Sequence, residues 1–298
     1  MKYNVSGIVE GHDFYVEGMS YIGEPKSNTA MFISKKVERL LSALEPVDHC
    51  LVFAENGITV PDSLMMKHAF YFSKQPQLDY AKFAVQFFEE RNKEERSLKF
   101  ELTQEGYYKS ETAVIGKNAY IEPGCLIGHN VTIGDNARIL TGSVIRYATI
   151  GNNFVSNEYA VIGAFGFTMT EDDNGNKLRI PTLGGVTIGD NVEVGAHDNI
   201  SCGSAGNTII DDNVKIDALV HIGHDVHLRK NAEVTAGGIV GGFDDIGDHA
   251  YIGLNAVLRN RITIGDNTIV GMGSNVIKSF GPNVTIVGNP AAVLNKGE

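Results

Sequence analysis

IDDNVKIDALVHIGHDVHLRKNAEVTAGGIVGGFDDIGDHAYIGLNAVLRNRITIGDNTIVGMGSNV, residues 210–276, puts an aliphatic at every sixth position: Ile210, Ile216, Ile222, Leu228, Val234, Val240, Ile246, Ile252, Leu258, Ile264, Val270 and Val276. This period fits neither an amphipathic helix nor an alternating strand. Three six-residue units, each with one inward aliphatic, close a triangular coil of 18 residues, so the stretch predicts a parallel β-helix of hexapeptide repeats. The residue after the aliphatic is often small, as in Ile222-Gly223, Ile246-Gly247, Ile252-Gly253 and Ile264-Gly265, which suits tight corners.

The same register runs upstream through Ile115, Ile121, Ile127, Ile133, Ile139 and Ile145, continues irregularly through Ile150 and Ile162, and resumes at Ile188, Val194 and Ile200. The β-helix is therefore expected to begin near residue 111. Between Gly163 and Gly185 the polar stretch FGFTMTEDDNGNKLRIPTL offers no periodic aliphatic and is expected to loop out, in the manner of loops that carry function or contacts. The predicted organisation is a small α/β domain over 1–108, a β-helix over 109–280 with the excursion at 163–185, and a tail over 281–298. Within the first domain a helix is predicted over 34–45, with Val37, Leu40, Leu41 and Leu44 on one face, and a buried strand over CLVFA at 50–54. A second helix is expected to follow Asp79 as N-cap, with Tyr80, Phe83, Ala84, Phe87 and Phe88 on its inner face.

The 298 residues suffice for a sizeable core, and 34 glycines without a collagen period point to many turns. A net charge of −11 argues against a nucleic-acid surface, which needs clustered Lys and Arg. The polar N-terminus does not read as a secretory signal and no apolar run is long enough to span a bilayer, so a cytoplasmic location is expected. Cys50, Cys125 and Cys202 have unrelated spacings, which fits buried reduced thiols and neither a disulfide framework nor a zinc site.

Adjacent coils lie roughly 4.8 Å apart, so residues one coil apart in sequence stack vertically. His224, two places after inward Ile222, should project outward near a corner, with Gly242 directly over it. An imidazole beside a bare backbone amide suits acyl transfer: His224 takes the proton of an attacking amine or hydroxyl, and the Gly242 amide stabilises the tetrahedral oxyanion. Asp217, in the preceding hexad, is the expected partner that orients the ring. His221, one place before Ile222, is expected to contact substrate.

VKIDALVHIGHDV at 214–226 resembles the signature V-K-(I/L)-D-N-L-V-Q-I-(A/G)-H-N-V of the UDP-3-O-acylglucosamine N-acyltransferases of lipid A synthesis. IGAFGF at 162–167 and IPTLGGVTIGDNVEVGA at 180–196 are also similar to that family, and the resemblance runs from about residue 30 to 277. It implies a mainly β fold, a left-handed β-helix preceded by a small α/β domain, and a homotrimer. By position it assigns the general base to His224, its carboxylate partner to Asp217 and the oxyanion amide to Gly242. Phe32, Ser34 and Lys36 fall where the family has its uracil-binding segment F-x-x-N-P-K-Y, and with Phe165 and Phe167 are expected to bind substrate. The sequence departs at Ser201-Cys202-Gly203, at His221 where Gln is usual, and at Arg261 where the family has a later histidine.

The ending TIVGNPAAVLNKGE resembles that of coenzyme A-dependent sugar acetyltransferases, so acyl-CoA is the expected co-substrate and acyl carrier protein the alternative donor. Arg259, Arg261, Lys278, Gly288, Asn289 and Pro290 are its expected contacts. The leading expectation is transfer of an acetyl or short hydroxyacyl group from acyl-CoA to a nucleotide-linked amino sugar for surface polysaccharide such as O-antigen. The alternatives are the lipid A N-acyltransferase using acyl carrier protein, and a non-enzymatic β-helix scaffold. The His221-x-x-His224 spacing does not match the three shared imidazoles of the carbonic anhydrases on this fold, so no metal site is expected.

Overall fold

Aliphatics at the sixth-residue positions stack inside the coil in a computed structural model, which describes residues 2–294. Every inward position from Ile210 to Val276 is buried, and the run forms one continuous core from Ala113 to Ala291. At roughly 2 kcal/mol per buried Ile or Val side chain, this column drives the folding of an element with few local contacts. The coil is a left-handed parallel β-helix with three faces. Face 1 carries Lys215–Ile216, face 2 His221–Ile222 and face 3 His227–Leu228. Each pairs in parallel with the strand 18 residues on: Lys215 with Glu233, His221 with Ile239, His227 with Asp245.

The third residue after most inward aliphatics turns the corner with positive φ, for example Asn213 at 61°, Asp225 at 58° and Asn231 at 59°. Asn and Asp tolerate this region because their short polar side chains bond locally. At the corner between faces 3 and 1 the asparagines form a ladder, Asn118 to Asn136 to Asn153 to Asn191, with amide hydrogen bonds of 3.2, 3.1 and 3.0 Å. The corner residues Leu219, Phe243 and Arg261 are bulky and adopt the same conformation at 62–64°.

Three irregularities break the count. Between Ile145 and Ile150 one residue is missing, so Ile145 pairs with Ile162 rather than with a residue 18 on. From Ile200 to Ile210 the spacing is ten residues rather than six, which adds a bulge, Gly203–Asn207, to the coil. The third is the excursion. The rung Val161–Ala164 is still in the coil, so the departing segment is narrower than expected. It folds as an antiparallel hairpin, Met169–Glu171 with Lys177–Arg179. The chain re-enters at Gly184, where a Cβ would lie 1.6 Å from the Gly206 carbonyl oxygen, so only glycine fits.

The chain divides into two compact units, Met1–Glu94 with Phe167–Leu183, and Glu95–Gly166 with Gly184–Glu298. The expected boundaries at 108, 163–185 and 281 are corrected accordingly. Tyr108–Ser110 already pairs in parallel with Leu126–Ile127 and carries the antiparallel strand Phe100–Leu102. The expected tail begins as a further rung, because Ile286 is buried and Thr285–Gly288 pairs with Ile269–Val270. Ala291–Val293 then folds back antiparallel, and residues 295–298 of the expected tail lie outside the described residues.

The first unit is α/β. Its sheet of four parallel strands runs Gly18–Met19, Thr29–Ile33, Leu51–Glu55, Ala69–Ser73. Lys35–Leu44 is helical but of the 3-10 type, kinked at Val37, and packs Leu41 and Leu44 into the core with Val37 and Leu40 against them. The second helix spans Pro76–Glu95, so Asp79 is not its N-cap. Pro76 starts it because the missing N–H costs nothing in the first turn. Asp79 instead accepts a short hydrogen bond from Ser73 Oγ. No described helix is long and apolar enough to cross a membrane.

His68 is fully buried in this unit. Its Nδ1 accepts from the Cys50 N–H at 3.1 Å, which leaves Nε2 protonated toward the Leu44 carbonyl at 3.2 Å and the ring neutral. Burial pushes its pKa below the ordinary 6.5. A folded value below the unfolded one means the neutral ring's contribution is intact above the unfolded value and lost as pH falls through the folded one. The urea midpoint is expected to drop between about pH 7.5 and about pH 5.5, and His68→Gln is expected to flatten that slope; an unchanged slope refutes the assignment.

Candidate active site

The Ile222-Gly223-His224-Asp225 corner joins faces 2 and 3. His224 Nδ1 lies 2.8 Å from Asp225 Oδ2. Because a carboxylate only accepts, Nδ1 is the donor, and in the neutral ring this leaves the lone pair on Nε2. The positive φ of Asp225 folds its side chain back beside the preceding ring, so two consecutive residues form one unit. Asp225 is held in turn. Its carboxylate accepts from the Ser204 N–H at 2.9 and 3.0 Å and from Ser204 Oγ at 2.6 Å, and its own N–H donates to Thr208 Oγ1 at 2.9 Å. The Asp225 side chain is 1% exposed and that of His224 17%.

Gly242 lies over His224 as the coil arithmetic requires. A Cβ on Gly242 would sit 2.9 Å from both Cε1 and Nε2 of His224, so the ring occupies the space a side chain would take. Gly242 N–H donates to no acceptor among the described residues, whereas its carbonyl accepts from the Arg261 N–H at 3.0 Å. An imidazole lone pair and an unclaimed amide donor thus meet at one corner. Gly166, beside the start of the excursion, also abuts the ring: a Cβ there would be 2.9 Å from His224 Cβ. Gly242→Ala is expected to displace the ring and lower turnover by about 10-fold or more, with the fold retained, as read by kcat and thermal melting.

Asp217 is not the partner of His224. Seven residues carry the chain across one whole face, so Asp217 sits at the preceding corner, between faces 1 and 2. There it caps the Ala218 and Ala236 N–H groups at 2.8 and 3.2 Å. It also lines a cavity of about 460 Å³ with Glu158, Glu193, Lys215 and Glu233. His221 does share the His224 side. It projects from face 2 between Asn199 and Ile239, and surrounding protein together with the nearby His224 lowers its pKa.

Along the same corner, coil by coil, follow His224, Gly242, Asn260 and Lys278. Arg259 and Arg261 flank Asn260, so three of the expected cofactor contacts are grouped. The Arg261 guanidinium lies 4.0 Å above the Phe243 ring, which also meets the His224 ring edge on at 5.2 Å. Lys278 Nζ is 5.5 Å from the Phe280 ring centre. Gly288, Asn289 and Pro290 are not part of this group. They follow inward Ile286 of face 1 and reach the opposite edge of face 2, where Asn289 Oδ1 accepts from Asn275 Nδ2 at 3.1 Å.

In the first unit Phe32, Ser34 and Lys36 line one cavity of about 820 Å³, with Lys35, Lys74, Lys177 and the start of the second helix at Pro76. Glu55 and Glu171 line it too, and Glu171 pairs with Lys177, so Lys35, Lys36, Lys74 and the helix N-terminus are what would meet an anionic ligand, with Phe32 as an aromatic face. Phe165 and Phe167 do not line it. Phe165 stacks on Tyr147 with ring centres 5.7 Å apart, and Phe167 lies exposed under the Arg179 guanidinium.

Ser204, Thr208 and Asp225 escaped the sequence reading. The ten-residue gap between Ile200 and Ile210 marked the bulge that brings Ser204 and Thr208 to Asp225, and the adjacency of His224 and Asp225 at a corner marked the pair.

Residues 112–147 match a family model described as bacterial transferase hexapeptide (six repeats), and residues 245–277 one described as hexapeptide repeat of succinyl-transferase. A UDP-3-O-acylglucosamine N-acyltransferase of Coxiella burnetii is 38% identical over 188 residues, covering 54% of this chain and 55% of that protein. The protein of the same name from a Caulobacter species is 34% identical over 154 residues, covering 52% of this chain and 45% of that one. The chain thus spans about half the length of these curated relatives. Among solved structures, a UDP-N-acetylglucosamine acyltransferase of Bacteroides fragilis superposes with a TM-score of 0.57 at 26% identity, covering 65% of this chain and 74% of that one. The chain is a hexapeptide-repeat β-helix protein that resembles the UDP-3-O-acylglucosamine N-acyltransferases.

Proposed function

We propose that this chain is an N-acyltransferase that moves an acyl group from a thioester to the amino group of a UDP-linked 3-O-acylglucosamine. The observation that carries this reading is the His224–Asp225 pair set against the Gly242 N–H. The amine nitrogen attacks the thioester carbonyl while His224 Nε2 accepts its proton, and the carbonyl oxygen, now negative, takes the Gly242 N–H. Collapse breaks the carbon–sulfur bond, and the imidazolium returns the proton to the departing thiolate. Amide and thiol are the products. Asp225 keeps the ring in the tautomer this requires and stabilises the imidazolium.

The relatives' names favour the 3-O-acylated glucosamine of lipid A synthesis over a short acyl group on some other nucleotide amino sugar. Arg259, Arg261 and Lys278 support an anionic donor, either acyl carrier protein or coenzyme A. Incubation with UDP-3-O-(3-hydroxyacyl)glucosamine and either 3-hydroxyacyl-acyl carrier protein or the matching acyl-CoA tests both points. N-acylated product by mass spectrometry, made faster from the carrier protein, is the expected result. Product only from acyl-CoA with another nucleotide amino sugar returns the coenzyme A reading, and no product from any pair leaves the scaffold. The cavity with Phe32, Ser34 and Lys36 supports nucleotide binding, measurable as a UDP-dependent rise in melting temperature that Lys36→Ala diminishes. A homotrimer is expected, and sedimentation as a monomer at micromolar concentration would overturn it.

A further inference from the structure

We infer that Asp244 is a positioning residue that aims the Gly242 N–H at the reacting carbonyl by holding both backbone groups of Gly241. The inference rests on the acyl-transfer reading above. Gly241 N–H donates to Asp244 Oδ2 at 3.0 Å, and Asp244 N–H donates to the Gly241 carbonyl at 3.3 Å. That carbonyl and the Gly242 N–H belong to the same peptide group, so fixing one end fixes the direction of the other. The second carboxylate oxygen is anchored to the next coil, accepting the Ile262 N–H at 2.9 Å. The tether therefore ties the oxyanion corner to the ladder rather than to another mobile side chain.

The fold does not require a carboxylate here. The same turn closes at Arg229–Ala232, Gly247–Ala250, Gly253–Ala256, Gly265–Thr268 and Gly271–Ser274 with a small side chain in place of Asp244. The neighbours above and below in the column are Val226 and Ile262, both buried and apolar. Asp244 is 1% exposed among them, and burial pushes its carboxyl up to about 7 against the Ile262, Gly241 and Arg261 N–H groups, which favour the charged form. A costly group at a position where alanine serves elsewhere calls for a purpose. The turn it holds is also loaded: Phe243 is bulky at a φ of 64°, and two successive glycines leave the corner little intrinsic stiffness. Oxyanion stabilisation depends on donors fixed in advance, so a flexible corner loses much of the benefit.

Asp198 provides an internal control. It makes the same pair of bonds at a different corner, to Gly195 N–H at 2.7 Å and Val220 N–H at 2.8 Å, and is equally buried. Asp244→Ala and Asp198→Ala should lower the melting temperature by comparable amounts. Only Asp244→Ala should lower kcat, by about 10-fold, with KM within about 2-fold, and Asp244→Asn should recover part of the loss because it retains one acceptor. The probe pair is UDP-3-O-(3-hydroxyacyl)glucosamine with its acyl thioester. Wild-type kcat in a folded Asp244→Ala protein, or an equal kcat loss in Asp198→Ala, overturns the inference while wild-type turnover and its dependence on His224 stand. Failure of the acyl-transfer reading looks different, as an inactive wild type. Hydrogen exchange then still decides: peptides covering residues 240–245 should exchange faster in Asp244→Ala than in wild type, and unchanged exchange refutes the tether.

Discussion

His224→Ala is expected to lower kcat by roughly 10²-fold or more with little change in KM, since general-base catalysis contributes on the order of 10²–10⁴. The fold should survive. The ring projects outside the column of buried aliphatics, its backbone carbonyl bonds to the Phe243 N–H whatever the side chain, and the inward Ile222 rung remains. Equal melting temperature and equal sedimentation with collapsed turnover are the joint signature. His221→Gln provides the contrast: it lies on the same side but one strand position earlier, and should move KM more than kcat. Wild-type kcat in a folded His224→Ala enzyme would remove the basis for placing chemistry at this corner.

Asp225→Asn is expected to cost about 10²-fold in kcat, and Asp217→Asn less than about 2-fold. The asymmetry follows from the hydrogen bonds. Asp225 Oδ2 takes the His224 ring and both Ser204 donors while Oδ1 takes only the Ser204 N–H. An amide that keeps oxygen at the Oδ2 place therefore sets its NH₂ against the Ser204 N–H and loses the charge that supports the imidazolium, whereas one turned the other way loses the Oδ2 bonds and drives the ring proton onto Nε2. In the second case Nε2 can no longer accept from the amine. Asp217 caps two backbone amides a face away, and asparagine keeps an acceptor for one of them. Steady-state kinetics on both variants decide which carboxylate serves the base; a larger loss in Asp217→Asn would reinstate the partner expected from the resemblance.

Sequence alone determined the β-helix, because a six-residue period of buried aliphatics has one geometric solution and each residue carries its own vote. It also determined that Gly242 stacks on His224, since coils of 18 residues convert sequence distance directly into vertical contact. The bare glycine over an imidazole was therefore legible without coordinates. Only the tertiary structure decided the horizontal relations within a coil. The repeat marks Asp225 as a corner residue, but whether Asp217 or Asp225 reaches His224 depends on how the left-handed turn at Asp225 directs two neighbouring side chains, which the repeat does not specify. The meeting of Ser204 with Asp225 and the separation of Asn289 from Arg259 were set likewise, by which corner each residue occupies on a three-sided coil. Vertical order follows from a repeat summed over many residues, whereas lateral order hangs on single backbone angles and single hydrogen bonds. The first is written in the pattern of the chain, and the second exists only once the chain has closed on itself.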